Sequence, residues 1–263
     1  MTKLQGLLFG LATVALVVLA TFYFTKTWLP PLLSDRGDID RAFGLTLAVT
    51  GVVFILTNLL LAYCGWRYQD HEGARAAYWH ESSRLEWTWT TITAVVMFYF
   101  AFKALGLWAQ VTSPAPADAF VVEVTAQQFA WNVRYPGPDG IFGRTDVRLV
   151  DPTALNFIGL DKSDPGAADD VTMQNQLYLP EGRPVRVRLR SLDVIHSFFL
   201  PNFRVKQDAV PGMTTETWFV PRKAGDSEIA CAEHCGANHF RMRGFLHVVA
   251  PGDLETRIKE AGQ

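Results

Sequence analysis

Three long apolar stretches, Leu4–Phe24, Phe43–Trp66 and Trp87–Trp108, crowd the N-terminal part of this 263-residue chain and constrain its fold more than any other feature. A helix needs roughly 20 apolar residues to cross the hydrocarbon core of a bilayer. The chain is therefore expected to sit in a lipid bilayer through two or three helices. The first stretch is the ambiguous one, because Lys3 ahead of a short apolar core also suits a signal sequence. Its flank, Phe22-Tyr23-Phe24 followed by Trp28, resembles an aromatic interface anchor more than a small-residue cleavage site, so a true span is preferred. The loops Thr25–Ala42 and Arg67–Glu86 carry three basic residues each, so charge alone does not orient the spans.

The pattern changes at Ser113-Pro114-Ala115-Pro116-Ala117, a short linker of restricted backbone. This divides the chain into a membrane region 1–112, a linker 113–118 and a second domain 119–263. Beyond the linker the hydrophobic period is two: Phe120–Thr125 and Phe129–Tyr135 read as strands, and Val185, Val187 and Leu189 alternate with Arg186, Arg188 and Arg190. Trp218–Val220 and Gly244–Val249 add further strand-like runs, and many short strands with turn signals predict an all-β sandwich or barrel. Asp139–Val171 reads as a solvated, Asp-rich loop without the spacing of a calcium site. Leu254–Ala261 reads as a short helix begun by Asp253. A net charge of −2 excludes a strongly basic nucleic-acid binder.

The chemistry concentrates in Cys231-Ala232-Glu233-His234-Cys235-Gly236-Ala237-Asn238-His239-Phe240-Arg241-Met242. Two thiols, an imidazole and a thioether recur there at intervals of four, four and three. Thiolate and thioether are soft ligands that suit copper, and Met beside His and Cys is the donor set of copper electron-transfer sites. Zinc rarely recruits Met. Asp193-Val194-Ile195-His196-Ser197, at the edge of a strand-like run, offers a second imidazole. Two thiolates could then hold two coppers, with His196 and His239 each on one metal and Met242 and a main-chain carbonyl in the weak positions. A small disulfide between Cys231 and Cys235 and a core role for His196 are the plain alternatives. His234 and His247 lie outside the pattern, and Cys64 reads as a small buried hydrophobe.

These residues resemble subunit II of the haem-copper oxidases, the cytochrome c oxidase type, over nearly the whole length beyond the first stretch. The spacing Cys-x-x-x-Cys-x-x-x-His-x-x-Met with an upstream Asp-Val-x-His-Ser is very specific, and Phe203–Met213 resembles the segment that follows the first copper histidine. The resemblance implies a cupredoxin-like β-sandwich on N-terminal transmembrane helices, with the dinuclear copper centre CuA held by His196, Cys231, Cys235, His239, Met242 and the Glu233 carbonyl. It implies that the Glu233 side chain reaches a magnesium ion shared with subunit I. Glu86, in Glu86-Trp87-Thr88-Trp89-Thr90, would stand at the mouth of a proton path, although a helix-start acid favoured by the dipole fits equally. One departure is visible. The family often has Gln-Trp-x-Trp where this chain has Gln128-Phe129-Ala130-Trp131, so Phe129 or Trp131 would receive the electrons, or the donor differs.

The implied function is electron uptake from a cytochrome c-type donor, soluble or membrane-bound, and transfer to haem in subunit I. There, beside CuB, oxygen is reduced to water with proton translocation; a subunit III is also implied. The copper domain would face the periplasm from a bacterial inner membrane, with Arg67–Glu86 inside and Thr25–Ala42 outside. A copper subunit of a nitric oxide reductase, a copper-free quinol oxidase relative and a copper carrier or assembly factor are the rival classes. The full ligand set argues against the last two.

Overall fold

The computed structural model describes residues 3–23, 26–27, 29–68, 73, 75 and 78–262. It holds three long apolar helices, α1 (Lys3–Tyr23), α2 (Gly37–Arg67) and α3 (Ser83–Val111), each long and apolar enough to cross a membrane. At most 11 % of any of their apolar windows is buried within the chain. Exposed Leu, Val and Phe on every side of a helix are tolerable only in lipid or against another membrane subunit. The helices α1 and α2 meet through small residues. A Cβ on Gly10 would stand 3.4 Å from Leu59 Cδ2 and 3.8 Å from the Ala62 methyl, and Gly6 and Gly10 have the small-xxx-small spacing of close helix pairs.

The chain divides into two compact units, residues 1–30 with 38–110, and residues 31–37 with 111–263. The second is a β-sandwich. One sheet has the order β3-β2-β1-β5-β8, built from Val171–Gln174, Ala130–Tyr135, Phe120–Gln127, Val185–Ser191 and Thr215–Phe219. The other is β4-β10-β9-β6-β7, from Gln176–Pro180, Arg243–Val249, Gly225–Cys231, His196–Leu200 and Val205–Ala209. Fully buried Trp131, Phe198, Phe203 and Phe219 fill the space between the sheets. Each such side chain contributes about 1.5–3 kcal/mol through removal from water.

Two strand readings shift slightly, and the shift at Phe129 matters. The strand β2 begins at Ala130, so Phe129 lies in the β1–β2 turn, while β8 spans Thr215–Phe219 instead of Trp218–Val220. On β5 the alternation is plain, with Val185, Val187 and Leu189 buried and the three arginines between them more exposed. On β1 and β2 it fails: Glu123, Thr125, Asn132 and Arg134 are also buried.

The cause is the Asp-rich segment, whose outer residues are solvated as expected but which folds back over the sheet through its inner ones. Arg134 donates to the Gly143 carbonyl at 2.7 Å and to Glu123 at 2.6 Å, and it pairs with Asp170 at 3.2 Å. Phe142 lies under both the Arg134 and Arg188 guanidinium groups. The aspartates order the cover locally: Asp146, Asp151 and Asp161 each accept a hydrogen bond from a backbone N–H two residues on. The segment Pro31–Gly37 adds a second tie. Leu33 N–H donates to Asn202 at 2.8 Å, Leu33 accepts from Arg222 at 2.8 Å, and Ser34 Oγ donates to the Phe203 carbonyl at 2.8 Å. The C-terminal α4 (Leu254–Ala261) docks through Leu254 and Ile258, and Asp253 makes no side-chain cap.

Candidate metal centre

Pairing of β6 with β9 places the first ligands side by side. Phe198 stands opposite Cys231 in the antiparallel register, and Ala232 N–H donates to the Ser197 carbonyl at 2.9 Å. His196 opens β6 and Cys231 closes β9, so the imidazole and the thiol meet at one end of the sheet. Ligand atoms of His196, Cys231 and Cys235 all lie within 4.8 Å of one another. His196 is wholly buried, and its Nδ1 stands 3.9 Å from Cys231 Sγ. The sulfurs of Cys231 and Cys235 are 3.8 Å apart, and both cysteines are free.

The β9–β10 loop brings the other donors. His239 Nδ1 lies 3.7 Å from Cys235 Sγ, the Met242 sulfur lies 3.7 Å from the same atom, and the Glu233 carbonyl oxygen lies 3.2 Å from Cys231 Sγ. The Met242 thioether is buried, a place where a sulfur without hydrogen-bond needs costs little. A glycine is required inside this loop. Gly236 has φ +134°, and a Cβ there would collide with Gln128 Nε2 at 2.7 Å.

The electrostatics show a site built for positive charge. Burial raises the Cys231 thiol, but hydrogen bonds from His196, the backbone and His239 outweigh it and bring the thiol down to about 6. Burial and the neighbouring Cys231 charge push Cys235 up to about 11. Two thiolates this close cannot both stay ionised without a cation between them. Burial lowers His196, yet its contacts with Cys231 and Asp193 prevail and raise it above its ordinary value. A half-buried cluster of two sulfurs, two imidazoles, a thioether and a carbonyl fits soft metal ions such as copper.

The remaining sequence candidates fall in different places. Trp131 is wholly buried, edge-on to Phe198 and 6.2 Å from the His196 ring, so no surface of a donor protein can touch it. Phe129 is half-buried and packs over Gly236 beside the cysteine loop. The Glu233 side chain points to solvent, and Glu86 lies exposed in the first turn of α3. His234 stacks obliquely 5.5 Å from His239, and His247 is held between Asp226 and Gln176 on β10. Two residues that sequence reasoning passed over also face the centre. Asp193 accepts from His196 Nε2 at 2.8 Å, and Gln128 reaches the Cys235 carbonyl at 2.6 Å. The i, i+3 spacing of Asp193 and His196 was the available signal.

Residues 120–249 match the family described as cytochrome c oxidase subunit II, periplasmic domain. The alternative cytochrome c oxidase subunit 2 of Bradyrhizobium diazoefficiens is 41 % identical over 238 residues, 90 % of this chain and 85 % of that protein. Cytochrome c oxidase subunit 2 of Cereibacter sphaeroides is 30 % identical, covering 83 % of this chain and 74 % of the relative. The crystal structure of the periplasmic domain of cytochrome oxidase subunit II from Bradyrhizobium japonicum shares 28 % identity over 56 % of this chain and 96 % of that chain, with a TM-score of 0.41.

Proposed function

Given that the chain belongs to the cytochrome c oxidase subunit II family, a membrane-anchored subunit of a haem-copper terminal oxidase with a periplasmic domain, we propose that it receives electrons one at a time at a dinuclear copper centre and passes them to haem in the catalytic subunit. The observation that carries this reading is the convergence of His196, Cys231 and Cys235 within 4.8 Å, with His239 and Met242 both at 3.7 Å from Cys235. Cys231 and Cys235 would hold both ions, His196 and His239 one each, and Met242 and the Glu233 carbonyl the weak positions. When bound, such a copper pair takes up and releases single electrons.

The chain's own residues supply the rest. Burial of His196, Cys235 and Met242 keeps water from their donor atoms, and the β6–β9 pairing fixes the spacing of His196 and Cys231. Phe129, beside the cysteine loop at the surface, is the group through which a cytochrome c-type donor delivers electrons. The exposed Glu233 carboxylate would share a magnesium ion with the catalytic subunit, as a hard oxygen ligand for a hard cation. Glu86 would collect protons at the start of α3, and oxygen reduction with proton translocation takes place in subunit I, with subunit III as a further partner.

The same proposal covers the anchor: a membrane region 1–112, a linker 113–118 and a copper domain 119–263. In this reading α2 and α3 each cross the membrane, with Arg67–Glu86 on the cytoplasmic side. The close seat of Gly10 against Ala62 and Leu59 supports α1 as a third, retained span in the bacterial inner membrane. Rapid mixing of the assembled oxidase with reduced donor tests the function. Haem in the catalytic subunit should be reduced in the native complex and stay oxidised in Cys235→Ser, while a small artificial reductant still reduces it. Equal haem reduction by the donor in both would refute the reading.

A further inference from the structure

The carboxylate of Asp193 sits at the junction of three segments. Its Oδ1 accepts from His196 Nε2 at 2.8 Å and from Val194 N–H at 2.7 Å, and its Oδ2 accepts from Gln128 N–H at 2.6 Å. Gln128 in turn donates through Nε2 to the Cys235 carbonyl at 2.6 Å. A chain of hydrogen bonds thus runs from the His196 loop, through the β1–β2 turn, to the cysteine loop. Neither Asp193 nor Gln128 offers an atom to the metal in the ligand set above.

We propose that Asp193 and Gln128 form a clamp in which Asp193 is the positioning residue for His196, fixing its tautomer and lowering the reduction potential of the copper centre. The inference rests on the copper reading above. An imidazole that donates Nε2–H to a carboxylate must present the lone pair of Nδ1 on its other side, and that is the nitrogen facing Cys231. Because His196 is wholly buried and its Nε2 is already engaged, no water competes for the tautomer. A carboxylate behind a ligating imidazole also makes the ring a stronger donor, which favours the more positively charged, oxidised metal. Gln128 extends the constraint: with its backbone N–H on Asp193 and its amide on Cys235, it fixes the spacing of the two ligand-bearing loops. Phe129, next in sequence, is thereby held over Gly236.

The test uses the full-length chain in the assembled oxidase, with Asp193→Asn, Asp193→Ala and Gln128→Ala. Copper content, copper affinity and the reduction potential of the centre are read by metal analysis, competition with a copper chelator and spectroscopic redox titration. Asp193→Asn can still accept the ring hydrogen bond but loses the charge, so affinity should stay near native while the potential rises. Asp193→Ala should raise the potential and weaken copper binding by about 10- to 100-fold. Gln128→Ala should broaden the spectroscopic signature of the centre with a smaller potential change. Native potential in both Asp193 variants, even with reduced thermal stability, would overturn the clamp and leave a merely structural aspartate. A native chain that binds no copper pair would instead overturn the reading on which the clamp rests, so the two failures are distinguishable.

Discussion

Phe129 and Trp131 are two residues apart, yet the sheet sends them to opposite fates. Trp131 points into the core of the sandwich, fully buried against Phe198, whereas Phe129 stays in the turn over the cysteine loop. Trp131→Phe should therefore cost about 1–2 kcal/mol of stability through the space it leaves and keep the native rate of oxidation of the donor. Phe129→Ala should leave stability near native and slow that oxidation. Chemical denaturation and stopped-flow kinetics check both; the reverse pattern would move electron uptake back to Trp131. The thiols make a second prediction at this scale. In the reduced, metal-free chain with Cys64→Ala, thiolate absorbance should rise in two steps, one near 6 for Cys231 and one near 11 for Cys235, against an ordinary value of 9.0. A depressed thiol contributes stability above its unfolded value that is lost as pH falls through the folded one. Cys231 thus makes stability rise from pH 6 to 9, and the raised Cys235 makes it fall from pH 9 to 11. A single step for both thiols near pH 9 would contradict the site electrostatics.

At the scale of elements, the cover formed by the Asp-rich segment depends on one buried ion cluster. Arg134 and the carboxylates of Glu123 and Asp170 are each at most 3 % exposed. Removing one member of such a cluster strands the others, so Arg134→Ala should destabilise the domain by about 3–5 kcal/mol. Arg144→Ala, whose guanidinium is 73 % exposed beside Asp161 and Asp164, should cost less than about 1 kcal/mol. Similar denaturation midpoints for the two variants would show that the cover is not held by the buried cluster. Here the limits of the sequence are physical. The alternation on β5 announced its strand because one face meets the core and the other meets water. On β1 and β2 the polar face is covered by a segment that Arg134 meets 9 and 36 residues further along the chain, pairings that no local period encodes. The strap Pro31–Gly37 escaped notice for the same reason: its partners Asn202, Phe203, Val220 and Arg222 lie far along the chain.

For the whole molecule, the convergence of the candidate donors was legible because coordination chemistry needs particular side chains at short spacings within one loop, and a helix that crosses a bilayer needs an unbroken apolar run. His196 was the harder member, since it lies 35 residues from Cys231 and joins it only through the β6–β9 pairing. Asp193 and Gln128 stood within the quoted motifs, but their roles were not legible because they touch candidate ligands through hydrogen bonds that only the fold creates. The β-sandwich gathers the donor atoms at one end of a sheet, and the three helices present apolar surface that the chain itself leaves uncovered. The central claim is that this chain holds a copper pair. Metal analysis with electron paramagnetic resonance on the purified full-length chain, reduced and then loaded with copper, tests that most directly. Two coppers per chain with one unpaired electron shared over both, lost in Cys235→Ser, is the predicted result; a single copper, zinc or no bound metal would contradict it.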